Sequence, residues 1–170
     1  RMPRITAAVI TGCALGLSGV AMQSLLKNPL ASPFTLGISQ GAAFGAALAI
    51  VFLGAGRLQG SALRTAAAGN FILNSVYAVT FIAFLGAMAA TLIILLLARL
   101  KKMSPEAVIL AGVALSSLFT SGTILVQYFA SEVEIASVVF WTFGDVARSN
   151  WREISILTLC TLPVLGCFVF

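Results

Sequence analysis

Charged residues divide this chain into long uncharged stretches, and this division limits what the chain can fold into. Four stretches hold 22, 29, 34 and 25 residues, and they lie between Arg4 and Lys27, Lys27 and Arg57, Arg64 and Arg99, and Glu106 and Glu132. A helix needs about 20 apolar residues to cross the hydrocarbon core of a bilayer. The pattern therefore predicts an all-α, polytopic transmembrane helical bundle with spans near residues 5–26, 35–54, 76–98, 107–129 and 151–170.

The composition also indicates a membrane protein and argues against several other classes. The chain is 60% hydrophobic and 9% charged, whereas soluble proteins are about half apolar and about a quarter charged. Its ten basic residues are scattered and form no stripe, so we expect no nucleic-acid partner. The three cysteines lie in apolar runs and the chain has no histidine, so the sequence predicts neither a metal site nor a cofactor.

The two ends of the sequence suggest that residues 1–170 are one transmembrane domain taken from a longer protein. Arg1 is not an initiator methionine, and the last apolar run stops at Phe170 in the middle of a predicted span. We therefore expect a single domain that is incomplete at both ends. Charge counting orients it only weakly: Lys27, Lys101 and Lys102 favour a cytoplasmic side, but more arginines fall on the other side.

Glycines recur at one-turn spacing in the first two predicted spans. Gly12 and Gly16 form one GxxxG pair, and Gly37, Gly41 and Gly45 form two more. In lipid, such glycines mark faces where helix backbones approach closely. We expect these five glycines to serve helix packing, with the alternative that they only fill a generic bundle.

Two proline-containing loops are expected to form defined turns. Pro29 and Pro33 push the residues before them out of helical geometry, so a tight hinge should follow the first span. Ser104, Pro105 and Glu106 form a helix-start pattern, with a capping hydroxyl, a proline at the first position and an acid at the positive end of the helix dipole.

No catalytic constellation is apparent, and the chain lacks a GxxxxGK[ST] phosphate-binding loop, so we do not expect an enzyme. All five acids lie at predicted membrane edges, which disfavours a proton-coupled secondary transporter. Within the fourth span, one helical face carries the polar residues Ser116, Thr120 and Thr123, and Gln127 lies one turn further along. They either hydrogen-bond to neighbouring helices or line a wide, weakly polar pathway for a hydrophilic cargo. A polytopic structural or assembly protein is the alternative from another class.

Several motifs resemble the FecCD-type permease subunits of iron-siderophore and cobalamin ABC importers. The matching residues are Arg1-Met2-Pro3-Arg4, Gly12, Leu15, Ser18-Gly19, Met22-Gln23, Asn28-Pro29-Leu30-Ala31, Pro33, Leu36-Gly37, Gly41-Ala42, 110–115, 141–144 and Trp151. Members of that family have about ten membrane helices. The resemblance implies that this chain covers the second helix to part of the sixth.

The resemblance also implies roles for individual residues. Arg1 and Arg4 match positions that receive acidic residues of an extracytoplasmic substrate-binding protein. The expected inner gate consists of Asn28, Leu30, Ser104, Pro105 and Glu106.

The partners that the resemblance implies are the lipid bilayer, a second permease copy in a homodimer or pseudo-dimer, and separate ATPase subunits that hydrolyse ATP. It places the chain in the cytoplasmic membrane as a multi-pass protein. The implied cargo is an iron-siderophore or similar metal chelate, and the alternatives are cobalamin, heme or an oxyanion. The relatives that import cobalamin tend to carry small hydroxyl residues where this chain has Pro105 and Glu106.

Overall fold

The structure is a computed structural model, and it describes residues 2–53, 76–144 and 150–169. Within these residues every regular element is a helix, which confirms the predicted all-α class. The helices are α1 (Met2–Leu26), α2 (Ile38–Phe52), α3 (Val76–Lys101), α4 (Pro105–Tyr128), α5 (Glu132–Phe143) and α6 (Trp151–Val169).

Three of the described helices are long and apolar enough to cross a membrane by length and composition. They are α1, α4 and the part of α3 that starts at Tyr77. Helix α2 is apolar but has only 15 residues. It begins at Ile38, three residues later than the predicted stretch, because residues 33–37 form a turn that ends in a left-handed glycine, Gly37, with φ 78°.

The chain forms two compact units, which are Arg1–Ser32 with Gly144–Phe170, and Pro33–Phe143. In the first unit, α1 packs against α6. Among the side chains described for these helices, Ala7 of α1 and Ile154 of α6 are the buried apolar ones, at 2% and 5% exposure. Most other apolar side chains of the two helices are exposed, as expected for helices that face lipid or further protein.

Helix α2 forms the centre of the second unit, where it packs against α3, α4 and α5. Its buried residues are nearly all glycine or alanine: Gly41, Ala43, Gly45, Ala46, Ala47, Ala49 and Ile50. Four of them, Ala46, Ala47, Ala49 and Ile50, join a buried cluster with Val79 and Ala83 of α3, Val126 of α4 and Val138 of α5. Because the side chains of α2 are so short, the three neighbouring helices reach close to its backbone.

Two glycines of α2 lie directly against α3. A Cβ atom added to Gly41 would lie 2.8 Å from the Gly86 carbonyl oxygen, and one added to Gly45 would lie 2.6 Å from the Ile82 carbonyl oxygen. The contact is mutual, because a Cβ atom on Gly86 would overlap the carbonyl oxygen of Gly41. Real Cβ atoms essentially never come this close to backbone atoms. The α2–α3 contact is therefore made by backbone on backbone.

The other predicted packing glycines have different surroundings. Gly37 faces α4 rather than α3, and a Cβ atom there would lie 3.2 Å from the Gly112 carbonyl oxygen. Cβ atoms on Gly12 and Gly16 would meet no described atom within 4 Å. Glycines with the same spacing in the sequence thus lie in three different environments: against α3, against α4, and with no described neighbour.

We expect Gly41→Leu to destabilise the protein, because the new side chain would collide with the backbone at Gly86 and with Ala90. Overpacking of this kind costs about 1–3 kcal/mol. Gly12→Leu is the matched control, since it adds the same atoms to a glycine with open space around it. Thermal unfolding of the full-length protein in detergent should show a clear loss for Gly41→Leu only. Equal melting temperatures for both variants would contradict the contact.

Candidate functional site

An open cavity of about 460 Å³ lies in the second unit, between the turn that precedes α2 and one face of α4. Its lining residues are Phe34, Thr35, Gln40, Val113, Ser116, Ser117, Thr120 and Ser121. None of these eight side chains is ionisable, and five of them carry a hydroxyl group. The cavity therefore has a polar but uncharged wall.

The turn that forms one side of the cavity is closed by backbone hydrogen bonds. The Gly37 amide donates to the Phe34 carbonyl oxygen, and the Ile38 amide donates to the Pro33 carbonyl oxygen, both at 3.2 Å. The left-handed φ of Gly37 reverses the chain, and the Gly41 amide then continues the helical pattern by donating to Gly37 at 2.9 Å. Leu36 is buried, whereas Phe34 is exposed and Thr35 is half-buried at the cavity.

Gly112 of α4 allows this turn to lie on the helix. A Cβ atom at position 112 would lie 2.6 Å from the Thr35 carbonyl oxygen and 2.7 Å from the Leu36 Cα atom. Sequence analysis did not single out Gly112 as a packing residue. The available signal was the small residue one turn later, Ser116, which forms a small-xxx-small pair with it.

Further along, aromatic contacts join α2 to α4. The rings of Phe44 and Phe119 lie 5.7 Å apart between their centroids, a distance typical of favourable aromatic pairs. Gly122 lies under the Phe44 ring, since a Cβ atom there would be 2.9 Å from it. These contacts hold the cavity-forming face of α4 in place relative to α2.

The hydroxyl groups of α4 are bonded to their own helix. Ser116 donates to the Gly112 carbonyl oxygen at 3.0 Å, Ser117 to Val113 at 3.2 Å, and Thr120 to Ser116 at 2.9 Å. This bond to the carbonyl four residues earlier is a common way for a helix to satisfy a hydroxyl donor. The oxygen lone pairs remain available to the cavity.

Two of the four predicted pathway residues, Ser116 and Thr120, line the cavity, and two do not. Thr123 is half-buried and donates to the Phe119 carbonyl oxygen at 2.9 Å. Gln127 is also half-buried, and it lies roughly 10 Å beyond Thr120 along the helix axis, past the end of the cavity. Sequence analysis missed Ser117 and Ser121 as lining residues, although their spacing places them on the same face.

The predicted inner-gate residues Asn28 and Leu30 lie in a tight turn after α1. Lys27 adopts a left-handed φ of 48°, and the Asn28 amide donates to the Gln23 carbonyl oxygen at 3.2 Å. The Asn28 Oδ1 atom accepts a hydrogen bond from the Leu30 amide at 2.9 Å. The side chain of Leu30 is left 74% exposed. The turn is thus held by hydrogen bonds and exposes the apolar side chain of Leu30.

The second predicted gate segment has a related construction. Lys102 adopts a left-handed φ of 45°, and the Met103 amide donates to the Ala98 carbonyl oxygen at 3.2 Å. Ser104 then caps α4, since its Oγ atom accepts from the Ala107 amide at 3.4 Å, and Pro105 is the first helical residue. The predicted start of α4 is confirmed. Ser104, Pro105 and Glu106 are all exposed.

Among the acids in the part of the chain that the structure describes, Glu134 alone is buried, and the sequence did not indicate this. It is 6% exposed, in the first turn of α5. Its Oε2 atom accepts from the Ser131 amide at 2.9 Å, and the Ile135 amide donates to the Ser131 carbonyl oxygen at 2.9 Å. This is half of a capping box, and the Ser131-x-x-Glu134 spacing could have revealed it. The carboxylate therefore helps to fix where α5 begins.

The remaining predicted site residues are the two arginines at the start of the chain. Arg4 lies in the first turn of α1 and is exposed. Arg1 lies outside the described residues.

Comparison with known proteins gives one consistent family. The profile of the FecCD transport family matches residues 1–170. The inferred ABC transporter permease protein MJ0087 of Methanocaldococcus jannaschii is 49% identical over 170 residues, which is 100% of this chain and 47% of that protein. The vitamin B12 import system permease protein BtuC of Escherichia coli is 36% identical over 165 residues, covering 97% of this chain and 45% of BtuC.

A solved structure agrees with these relatives. It shows an inferred metal-chelate type ABC transporter in an inward-facing conformation, with a TM-score of 0.72 and 33% sequence identity. The match covers 98% of this chain and 46% of that one. The chain thus spans about half the length of the relatives it matches.

We expect a cysteine placed in the cavity to react with a membrane-impermeant, cationic thiol reagent. Thr120→Cys would point into a polar, open space, whereas Leu118→Cys would be 66% exposed on α4 but outside the cavity lining. Both are tested in full-length protein in vesicles, with Cys13, Cys160 and Cys167 replaced by alanine. Leu118→Cys should react at least about tenfold more slowly, because lipid excludes the charged reagent. Equal rates would show that this face of α4 is not a water-filled cavity.

Proposed function

The chain belongs to the FecCD transport family, and from this premise we propose that it forms part of the permease subunit of an ATP-driven importer. The proposed cargo is an iron-siderophore or a similar metal chelate. The proposed location is the cytoplasmic membrane, which the chain crosses several times. The permease is not itself an enzyme, and ATP is hydrolysed on separate ATPase subunits.

The observation that carries this proposal is the open cavity with an uncharged, hydroxyl-lined wall. A chelate is large and hydrophilic, so its pathway needs space and polar groups along the wall. The same wall must bind weakly, because a cargo held by ion pairs would not move on. A neutral wall of serine and threonine hydroxyls meets both requirements, since each hydrogen bond gained only replaces one made to water.

The partners follow from the same proposal. A second permease copy would complete the pathway, because one cavity that is open on a side does not enclose a cargo. An extracytoplasmic binding protein would deliver the cargo, with Arg1 and Arg4 as its proposed docking residues. ATPase subunits would drive transport, and Asn28, Leu30 and the segment from Ser104 to Glu106 would serve as the inner gate.

Cobalamin is the second candidate cargo, and the relative BtuC favours it, since that protein is named for vitamin B12 import. The metal-chelate cargo is favoured by the solved structure, which is of metal-chelate type, and by Pro105 and Glu106 at the proposed gate. Heme and oxyanions have no specific observation in their favour. Uptake by the full-length transporter of labelled ferric chelates, compared with labelled cobalamin, decides between the two candidates.

We expect Leu30→Ala to uncouple ATP hydrolysis from transport. The Leu30 side chain is exposed on a rigid turn, so its removal should widen the proposed gate without disturbing the backbone bond to Asn28. Val20→Ala is the control, since Val20 is an exposed apolar residue in the body of α1. In reconstituted full-length transporter, Leu30→Ala should raise the ATP hydrolysed per cargo molecule, and Val20→Ala should not. Unchanged coupling for Leu30→Ala would remove this residue from the gate.

We expect replacement of Arg1 and Arg4 by glutamate to abolish docking of the binding protein. Loss of arginine–carboxylate pairs at an interface costs about 2–5 kcal/mol, so affinity should fall by at least about thirtyfold. Arg152→Glu is the control, since Arg152 is an exposed arginine at the start of α6, outside the motif. Affinity is measured on the full-length complex at two salt concentrations.

The complementary experiment uses a binding protein in which lysine replaces the docking acids. This partner should regain affinity for the double-glutamate variant while it binds the native permease poorly. Native affinity in the double-glutamate variant would mean that Arg1 and Arg4 face only lipid headgroups and water.

A further inference from the structure

The cavity wall on α4 presents more hydrogen-bond acceptors than donors. Ser116, Ser117 and Thr120 each donate their only hydroxyl hydrogen to a carbonyl oxygen of the same helix, at 2.9–3.2 Å. A hydroxyl group has one donor and two acceptor lone pairs. When the donor is used within the helix, only the lone pairs remain for a molecule in the cavity.

The rest of the lining does not reverse this excess. Gln40 and Ser121 also line the cavity, and neither side chain makes a hydrogen bond within the described residues. Gln40 offers two N–H donors and Ser121 one O–H donor beside their acceptor oxygens, so these two residues reduce the excess of lone pairs but do not reverse it. Phe34 and Val113 contribute apolar surface, and no lining side chain carries a positive charge.

We propose that this wall selects among chelates by the groups on their surface, favouring neutral chelates that carry N–H or O–H donors over chelates with exposed anionic oxygens. This inference rests on the proposed transport function and specifies the cargo class for that same cavity. It assigns the discrimination to Ser117 and Thr120, which line the cavity and are exposed to it.

The discrimination follows from what each kind of chelate loses when it leaves water. A neutral chelate with N–H or O–H groups exchanges hydrogen bonds to water for hydrogen bonds to the α4 oxygens, at little net cost. An anionic oxygen also loses its water donors, but it then meets mostly lone pairs, since the described lining residues supply a few donors, at Gln40 and Ser121, and no cation. Desolvation of an unpaired charge is costly, so uptake of the anionic chelate is disfavoured.

The test uses the full-length transporter with its ATPase and binding protein in vesicles. Two chelates of the same metal are compared, one neutral with amide N–H groups at its surface and one trianionic. Each is supplied with saturating, loaded binding protein, and uptake is expressed per ATP hydrolysed, so that differences in capture by the binding protein do not enter the ratio. The native transporter should favour the neutral chelate by at least about tenfold.

Variants then locate the preference. Thr120→Val keeps the side-chain shape and removes the oxygen, so the preference should fall about three- to tenfold, as expected for loss of one hydrogen bond. Ser117→Lys adds donors and a positive charge, so it should raise the relative uptake of the trianionic chelate. Ser137→Ala is the control, since Ser137 makes the same type of bond, to Val133 at 2.8 Å, outside the cavity lining.

The outcomes separate this inference from the proposed function. The ratio of neutral to trianionic uptake could be the same in the native transporter, in Thr120→Val and in Ser117→Lys. That result would overturn the inference and leave the transport function intact. Uptake of neither chelate would overturn the proposed cargo, and the inference with it. A ratio that falls in Thr120→Val, shifts toward the anion in Ser117→Lys and stays unchanged in Ser137→Ala would support the acceptor wall.

Discussion

Direct contact between the backbones of α2 and α3 is the constraint on which the second unit depends. In lipid, apolar side chains gain little from meeting each other, so helices associate through close packing and polar contacts. Gly41 and Gly86 allow the two backbones to touch, and Gly45 extends the contact along the helix. Most other buried residues of α2 are also glycine or alanine, and α4 and α5 pack against the same helix.

Close backbone contact at glycines also shapes the cavity. Gly112 gives the turn that precedes α2 room to lie on α4, and Gly37 supplies the left-handed residue that directs the chain into α2. The turn therefore stands beside a helical face rich in serine and threonine. Those hydroxyls bond to their own helix, which leaves a neutral wall of oxygen lone pairs. The glycine contacts place the turn beside α4, and the hydrogen bonds within α4 occupy the hydroxyl donors. Together they produce a wall suited to weak, selective contact.

The turns after α1 and α3 share a second design. Each helix is followed by a lysine with left-handed backbone, Lys27 or Lys102, and the next amide donates to a carbonyl oxygen five residues earlier. This is the bonding of a Schellman motif, in which glycine is the usual residue. A lysine there costs about 1 kcal/mol relative to glycine, so both lysines stand against the local backbone preference. In both cases a proline-containing segment follows, and these are the segments proposed to gate the pathway.

Sequence alone determined the class of the protein, its apolar stretches, the cap at Ser104 and the polar face that holds Ser116 and Thr120, because these depend on composition and local periodicity. It did not determine which glycines meet a neighbour. Gly12 and Gly41 have the same GxxxG spacing, yet one has open space and the other touches α3. Spacing shows which residues share a helical face, but only the tertiary structure decides what that face meets. For the same reason, the roles of Gly86 and Gly112, the extent of the cavity and the burial of Glu134 emerged only once the helices were packed together.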